Sequence, residues 1–176
     1  MEHLDRKHTK GKKRKTNKKR LYVDMPCAFD IETSRVCVDA DDNPHTIMYI
    51  WQCQLGLDMT IIGRTWDEWL NFTGAISDYL QANSGPQGDW YLCMYVHNLA
   101  HEFQYLSGVL DFGPGDVFAS KPRRVLKCDN RAIEYRCSMR HSNLSLDAWG
   151  KQLGAPHAKL TGTLDYSTVR YPWTPL

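Results

Sequence analysis

The chain lacks any apolar run approaching the roughly 20 residues that a membrane-spanning helix needs, and its N-terminus carries no hydrophobic stretch of the kind a secretory signal requires. It has no C-x-x-C pair: six cysteines, at positions 27, 37, 53, 93, 128 and 137, are scattered along the sequence. Cys27, Cys53, Cys93 and Cys137 lie inside apolar, strand-like runs, where a reduced cysteine behaves as a small hydrophobe. That pattern argues against a disulfide framework and for a reducing, cytoplasmic setting. No internal repeat is visible, and the first 20 residues are almost without apolar side chains.

What is present is a core. In 176 residues, 42% are hydrophobic, with six Trp, nine Tyr and five Phe, which excludes a disordered chain and fits one domain with tails. Charge is unevenly placed. Residues 1–20 hold ten Lys/Arg against Glu2 and Asp5, a balance of +8, whereas the remaining 12 basic and 18 acidic residues leave −6. The expectation is a disordered basic arm over 1–20 and a folded domain over 21–176. Such an arm fits a polyanion and adds salt-dependent, sequence-independent affinity for nucleic acid; a solvated tail without a specific role has the same composition.

The most informative stretch is Cys27-Ala28-Phe29-Asp30-Ile31-Glu32-Thr33-Ser34. In a strand, residues two apart share a face, so Asp30 and Glu32 aim at one region while Phe29 and Ile31 face the core. Two acids converging at a strand end are costly unless a cation lies between them, and hard oxygen donors suit Mg²⁺ or Mn²⁺. A solvated surface strand would show the same D-x-E.

Along the chain, strands are expected over 25–34, 45–55 and 59–63 as an antiparallel meander, with turn chemistry at 39–44. Thr65-Trp66-Asp67-Glu68 is a capping box. It opens a helix to about Ala82 whose apolar stripe runs through Trp66, Trp69, Leu70, Ala75, Ile76, Tyr79 and Leu80. Trp90–Val96 is short and continuously apolar, so it reads as a strand buried on both faces. A second helix follows from about Ala100 to Leu110. Val117–Ala119 is a brief strand, and residues 123–128 and 131–139 form a hairpin around Asp129-Asn130. Ser145 caps a short helix to Leu153. The order is βββ–α–β–α–βββ–α, an α/β class with a mixed sheet.

Tyr95-Val96-His97-Asn98-Leu99-Ala100-His101-Glu102 places polar groups where a central strand gives way to a helix, the place where ligand sites collect in open α/β sheets. Asn98 can hydrogen-bond a phosphate, sugar or base. Glu102, four residues on, lies where it can join Asp30 and Glu32. His97 and His101 sit where a histidine more often satisfies a local hydrogen bond than acts in catalysis.

Together, FDIETS and, roughly 65 residues later, YVHNLAHEFQYL resemble the first two exonuclease motifs of family B DNA polymerases, above all the protein-primed group of bacteriophages and linear plasmids. The resemblance covers about residues 22–176. It implies a 3′→5′ proofreading exonuclease of ribonuclease-H-like fold, a mixed β-sheet flanked by helices, that hydrolyses single-stranded DNA 3′ ends with two metals, Mg²⁺ or Mn²⁺. It assigns Asp30, Glu32 and Glu102 to the metals, Glu102 standing where many members have Asp. Thr33 and Asn98 match positions that hold the 3′ end. His101 occupies a position usually aromatic, and Ser142 is a further strand-binding match. A family lysine near Gly162-Thr163-Leu164-Asp165-Tyr166 is not clearly preserved: Thr161 stands there, and Lys159 lies two residues earlier. The family's third motif, Tyr-x-x-x-Asp, would follow Tyr171-Pro172-Trp173-Thr174-Pro175-Leu176. The implied chain is therefore the N-terminal piece of a polymerase, poorly active alone, with the primer terminus, the polymerase domain and a terminal protein as partners, located in the host cytoplasm. The reading from another class is a non-catalytic single-stranded nucleic-acid-binding module that relies on the basic arm. A standalone ribonuclease with a fourth carboxylate is the third, and it needs the last motif within the chain.

Overall fold

The computed structural model describes residues 18–37, 44–156 and 168–175. Most of the basic arm, the turn at 39–43, and Lys159, Thr161 and the 162–166 segment lie outside the described residues.

The elements in chain order are β1 (Arg20–Tyr22), β2 (Cys27–Cys37), β3 (Pro44–Leu55), β4 (Met59–Gly63), α1 (Trp66–Ala82), β5 (Asp89–Val96), α2 (Leu99–Leu106), β6 (Val117–Ala119), β7 (Val125–Asn130), β8 (Ile133–Cys137) and α3 (Leu146–Gln152), with a 3-10 turn at Ser138–His141 before α3. The described strands form one mixed sheet in the order β4-β3-β2-β5-β8-β7-β6. The expected meander is there: β2 pairs antiparallel with β3, and β3 with β4. Then β5 enters parallel to both β2 and β8. Chain β1 shares β2's edge of β5: Tyr22 pairs with Tyr91, and Ala28 with Tyr95 further along.

Alternation in β2 holds as its residue pattern demands. Cys27, Phe29 and Ile31 are buried, while Ala28 and Asp30 are exposed and Glu32 half-buried. Phe29 stacks on Trp69 of α1 with ring centroids 4.2 Å apart, and Trp51 packs against both Trp69 and Phe72. One face of the sheet is thus closed by α1 through aromatic contacts, and the carboxylates of β2 stand on the other.

Four local departures have physical causes. The buried stripe of α1 is Trp69, Thr73, Ser77 and Leu80, with Tyr79 and Ala75 outside. Thr73 satisfies its own hydroxyl by donating to the Trp69 carbonyl at 2.8 Å, so a polar residue enters the core without loss. The β5 strand is deeply buried on one side only: Leu92, Met94 and Val96 are covered, but Tyr91, Cys93 and Tyr95 are half-buried. The β7–β8 turn falls at Arg131-Ala132, with Arg131 at φ +54°, because Asp129 is held in the strand by Arg20. Finally, α2 starts at Leu99 and ends at Leu106, shorter than expected.

The cysteines described are free thiols. Burial pushes the Cys53 and Cys128 thiols up to about 12, so they pack as apolar groups. On β8, Glu134 has a fully buried side chain ringed by Arg20, Lys127 and Arg136, and it accepts from the Tyr22 hydroxyl at 2.8 Å. Burial alone would raise its carboxyl. The Tyr22 hydroxyl, Arg136 and Lys127 outweigh it and bring Glu134 down to about 2. This ion network ties β1 to β7 and β8.

Candidate functional site

The site forms where β5 ends beside β2. Parallel pairing of Phe29 with Val96 means that Asp30 and Glu32 project past the last residue of β5. There the chain turns through Asn98 into α2. Asn98 adopts the left-handed conformation, φ 66° and ψ 51°, which few side chains other than Asn, Asp and Gly tolerate. Its carbonyl accepts the His101 N–H at 2.8 Å, and its side chain makes no capping bond and stays exposed. The tight turn starts α2 just beyond β5, and its first turn puts Glu102 within electrostatic reach of Asp30 on β2.

Glu102 is only 4% exposed. Its Oε2 is buried without a hydrogen-bond partner among the described residues. Burial, chiefly, and the negative charge of Asp30 together push its carboxyl up to about 7. Asp30 itself is exposed and accepts a hydrogen bond from the Gln52 amide at 3.4 Å. The two carboxylates thus lie close enough to interact electrostatically, one exposed and one buried. Glu32 is half-buried on the same strand face, two residues on.

Thr33 sits at a β-bulge: the register with β3 shifts between Glu32 and Thr33, leaving Tyr49 as the extra residue. His101 is exposed, its ring edge-on to Tyr105 at 5.6 Å, and the Tyr105 hydroxyl bonds Thr46 at 2.9 Å. Ser142 is set apart from this group. Its hydroxyl accepts the Leu144 N–H at 3.1 Å within the turn before α3.

A cleft of about 250 Å³ opens on the carboxylate face, lined by Asp30, Gln52, Tyr95, His97, Ser138 and Leu146 among others. Two of these, His97 and Ser138, are hydrogen-bonded through Nδ1 and Oγ at 3.2 Å, and Nε2 of His97 is buried without a partner among the described residues. The bland reading of His97 as locally satisfied therefore holds for one ring nitrogen only. Ser138 was invisible in the sequence because residues 131–139 read as continuous strand. The break after Cys137 into a 3-10 turn is what aims its hydroxyl at the cleft.

Among the described residues, no group of three or more His, Cys, Asp or Glu side chains closes on a metal-sized point. The Asp30–Glu102 pair nonetheless fits a divalent cation by donor chemistry. Both are hard oxygen donors, one has an unsatisfied buried oxygen, and the pair carries a charge repulsion that a cation between them would cancel.

No family model matches the chain, and no curated protein matches it. Solved structures do. Phi29 DNA polymerase in complex with primer-template DNA and incoming nucleotides superposes with a TM-score of 0.59 at 12% identity, over 83% of this chain and 26% of the polymerase. The same polymerase with primer-template DNA alone gives 0.55 at 13% identity, over 81% and 25%. Its complex with single-stranded DNA gives 0.53 at 12% identity, over 81% and 25%. At this identity the likeness is one of fold. The chain has the ribonuclease-H-like arrangement, a central mixed sheet flanked by helices, and spans about a quarter of the length of the polymerase chains it matches.

Proposed function

We propose that this chain is the 3′→5′ exonuclease part of a protein-primed, family B type DNA polymerase, acting on the 3′ end of single-stranded DNA at the end of β2. The observation that carries the reading is the buried Glu102 carboxyl held within electrostatic reach of Asp30, an arrangement that a merely structural carboxylate pair would avoid. It is supported by a fold like that of phi29 DNA polymerase, which has been seen with primer-template and with single-stranded DNA.

In this reading Asp30, Glu32 and Glu102 would hold Mg²⁺ or Mn²⁺, which when bound supplies charge stabilisation at the scissile phosphodiester and a more acidic water. The chain's own residues do the rest. Asn98, presented by its left-handed turn, offers an exposed amide to the 3′-terminal nucleotide. His97 offers the unpartnered Nε2 inside the cleft, and Thr33 and His101 flank the strand end. Glu102 must lose its proton before it can bind a cation, so hydrolysis rises with pH through about 7 and its midpoint falls as metal concentration rises. The polymerase domain, the primer terminus and a terminal protein are the partners this assignment brings, in the cytoplasm of an infected host.

The test is a single-turnover assay with protein in excess over a 5′-labelled oligonucleotide. Wild type, poorly active alone, is expected to shorten it slowly but stepwise from the 3′ end in Mn²⁺, and Asp30→Ala to slow this at least a further 100-fold, about 3 kcal/mol. Shortening that Asp30→Ala leaves untouched would refute the assignment. A second reading, a non-catalytic single-stranded nucleic-acid-binding module, draws on the +8 balance of residues 1–20. It predicts binding that survives loss of the carboxylates and vanishes with the arm.

A further inference from the structure

The carboxylate cleft does not end at His97. It continues into a second, wider recess of about 580 Å³ that shares Ala28, Gln54, Tyr95 and Ser138 with it and adds Trp149, His141 and Leu57. Trp149 belongs to α3, a helix none of whose residues is buried. Leu146 and Leu153, which share its face, are 48% and 67% exposed, so α3 is not seated on the core by an apolar stripe. Its indole is instead part of a layered set of rings. His141 lies parallel to it at 6.1 Å and 15°, His97 at 6.3 Å and 25°, and Tyr95 meets His141 edge-on at 5.7 Å.

Planar rings lining an open recess are poor partners for an aliphatic ligand and good ones for unpaired bases, because every base has a π-face. Arg140 in the 3-10 turn offers a guanidinium to a phosphate backbone, while Lys151 in the last turn of α3 is already paired with Asp147 at 2.8 Å. Continuity with the first cleft sets the direction. A strand whose 3′ end lies at Asp30 passes His97 and reaches Trp149 with bases further from the end.

We infer that Trp149 and His141 form a stacking shelf for single-stranded DNA, holding unpaired bases several nucleotides upstream of the 3′ end. The inference rests on the single-strand reading above. The shelf sets how long a melted 3′ end the protein prefers, rather than the chemistry at the end itself.

The test compares binding of an octathymidylate and a trithymidylate to the full chain in EDTA, at about 0.2 M salt to suppress non-specific phosphate contacts. Trp149→Ala is expected to weaken the octamer about tenfold, within the range for loss of one stacked base, and to leave the trimer unchanged. Trp149→Phe is expected to restore most of the loss. Trp149→Leu keeps apolar bulk without a planar face and should behave as the alanine variant, which covers a failure of Trp149→Ala to fold. Octamer binding that is indifferent to both Trp149→Ala and Trp149→Leu overturns the shelf while leaving the single-strand reading intact. A wild-type chain that binds neither oligonucleotide overturns that reading and the shelf with it.

Discussion

In the proposed function the chemistry turns on Glu102, and its proton gives it a signature in stability. In the folded chain its carboxyl titrates near 7, above the ordinary value of 4.5. The folded state therefore binds more protons than the unfolded state between those values, and stability falls as pH rises across that window. In EDTA, wild type should lose about 3 kcal/mol between pH 4.5 and pH 8 on this account, and Glu102→Gln should remove that slope and be the more stable protein at pH 8. Urea unfolding at a series of pH values reads both. Asn98 has two roles that substitution can separate. Its positive φ costs an alanine about 1–2 kcal/mol but costs a glycine nothing. Asn98→Gly is expected to melt at or above wild type yet bind single-stranded DNA more weakly, whereas Asn98→Ala should lose both. Residue types and spacing were enough to expect Asp30, Asn98 and Glu102 near one strand end, and the roles proposed for them come from the family resemblance. His97's unpartnered nitrogen and the hydroxyl of Ser138 could not be read that way, since they depend on where two neighbouring strands, β5 and β8, stop.

At the scale of elements, the helices and most strands were legible because each carries its own local signal. The capping box at Thr65–Glu68 forms as written, with the Thr65 hydroxyl taking the Glu68 N–H at 3.2 Å and the Glu68 carboxylate returning to Thr65 N–H at 2.9 Å. Misread elements were those decided by partners distant in sequence. Asp129 looked like turn chemistry, but its carboxylate is committed to Arg20, 109 residues away. Strand β5 looked buried on both faces because Tyr and Cys count as apolar, yet that side is half-buried, and Tyr95 near its end lines the cleft. Packing between β4 and β3 yields a sharp prediction. A Cβ on Gly63 would lie 2.1 Å from the Trp51 ring, which is 2% exposed and pinned by its Nε1–H donating to the Thr65 carbonyl at 2.9 Å. Gly63→Ala should cost roughly 2 kcal/mol or more, seen as a lowered Tm, because the indole has no room to retreat.

Across the whole molecule, Arg20, where the basic arm ends, and the carboxylate site lie at opposite ends of β5. Arg20 pairs with Asp89, the first residue of the strand, while the site lies beyond Val96, the last. Seven residues of extended chain separate those levels by about 23 Å. Removing residues 1–17, seven of which are Lys or Arg, is expected to flatten the salt dependence of DNA binding without changing the rate of metal-dependent cleavage, and Asp30→Ala to do the reverse; filter binding across a salt series and the single-turnover assay read the two. The ion network around Glu134 anchors β1 to β7 and β8. The claim at the centre of the account is that Asp30 and Glu102 jointly hold a divalent cation, and calorimetric titration of Mn²⁺ at pH 6.5 in two buffers of different ionisation heat tests it most directly. The account predicts binding accompanied by release of a sizeable fraction of a proton from Glu102, lost in both Asp30→Ala and Glu102→Gln. Mn²⁺ binding that persists unchanged in both variants, or that releases no proton in wild type, would contradict it.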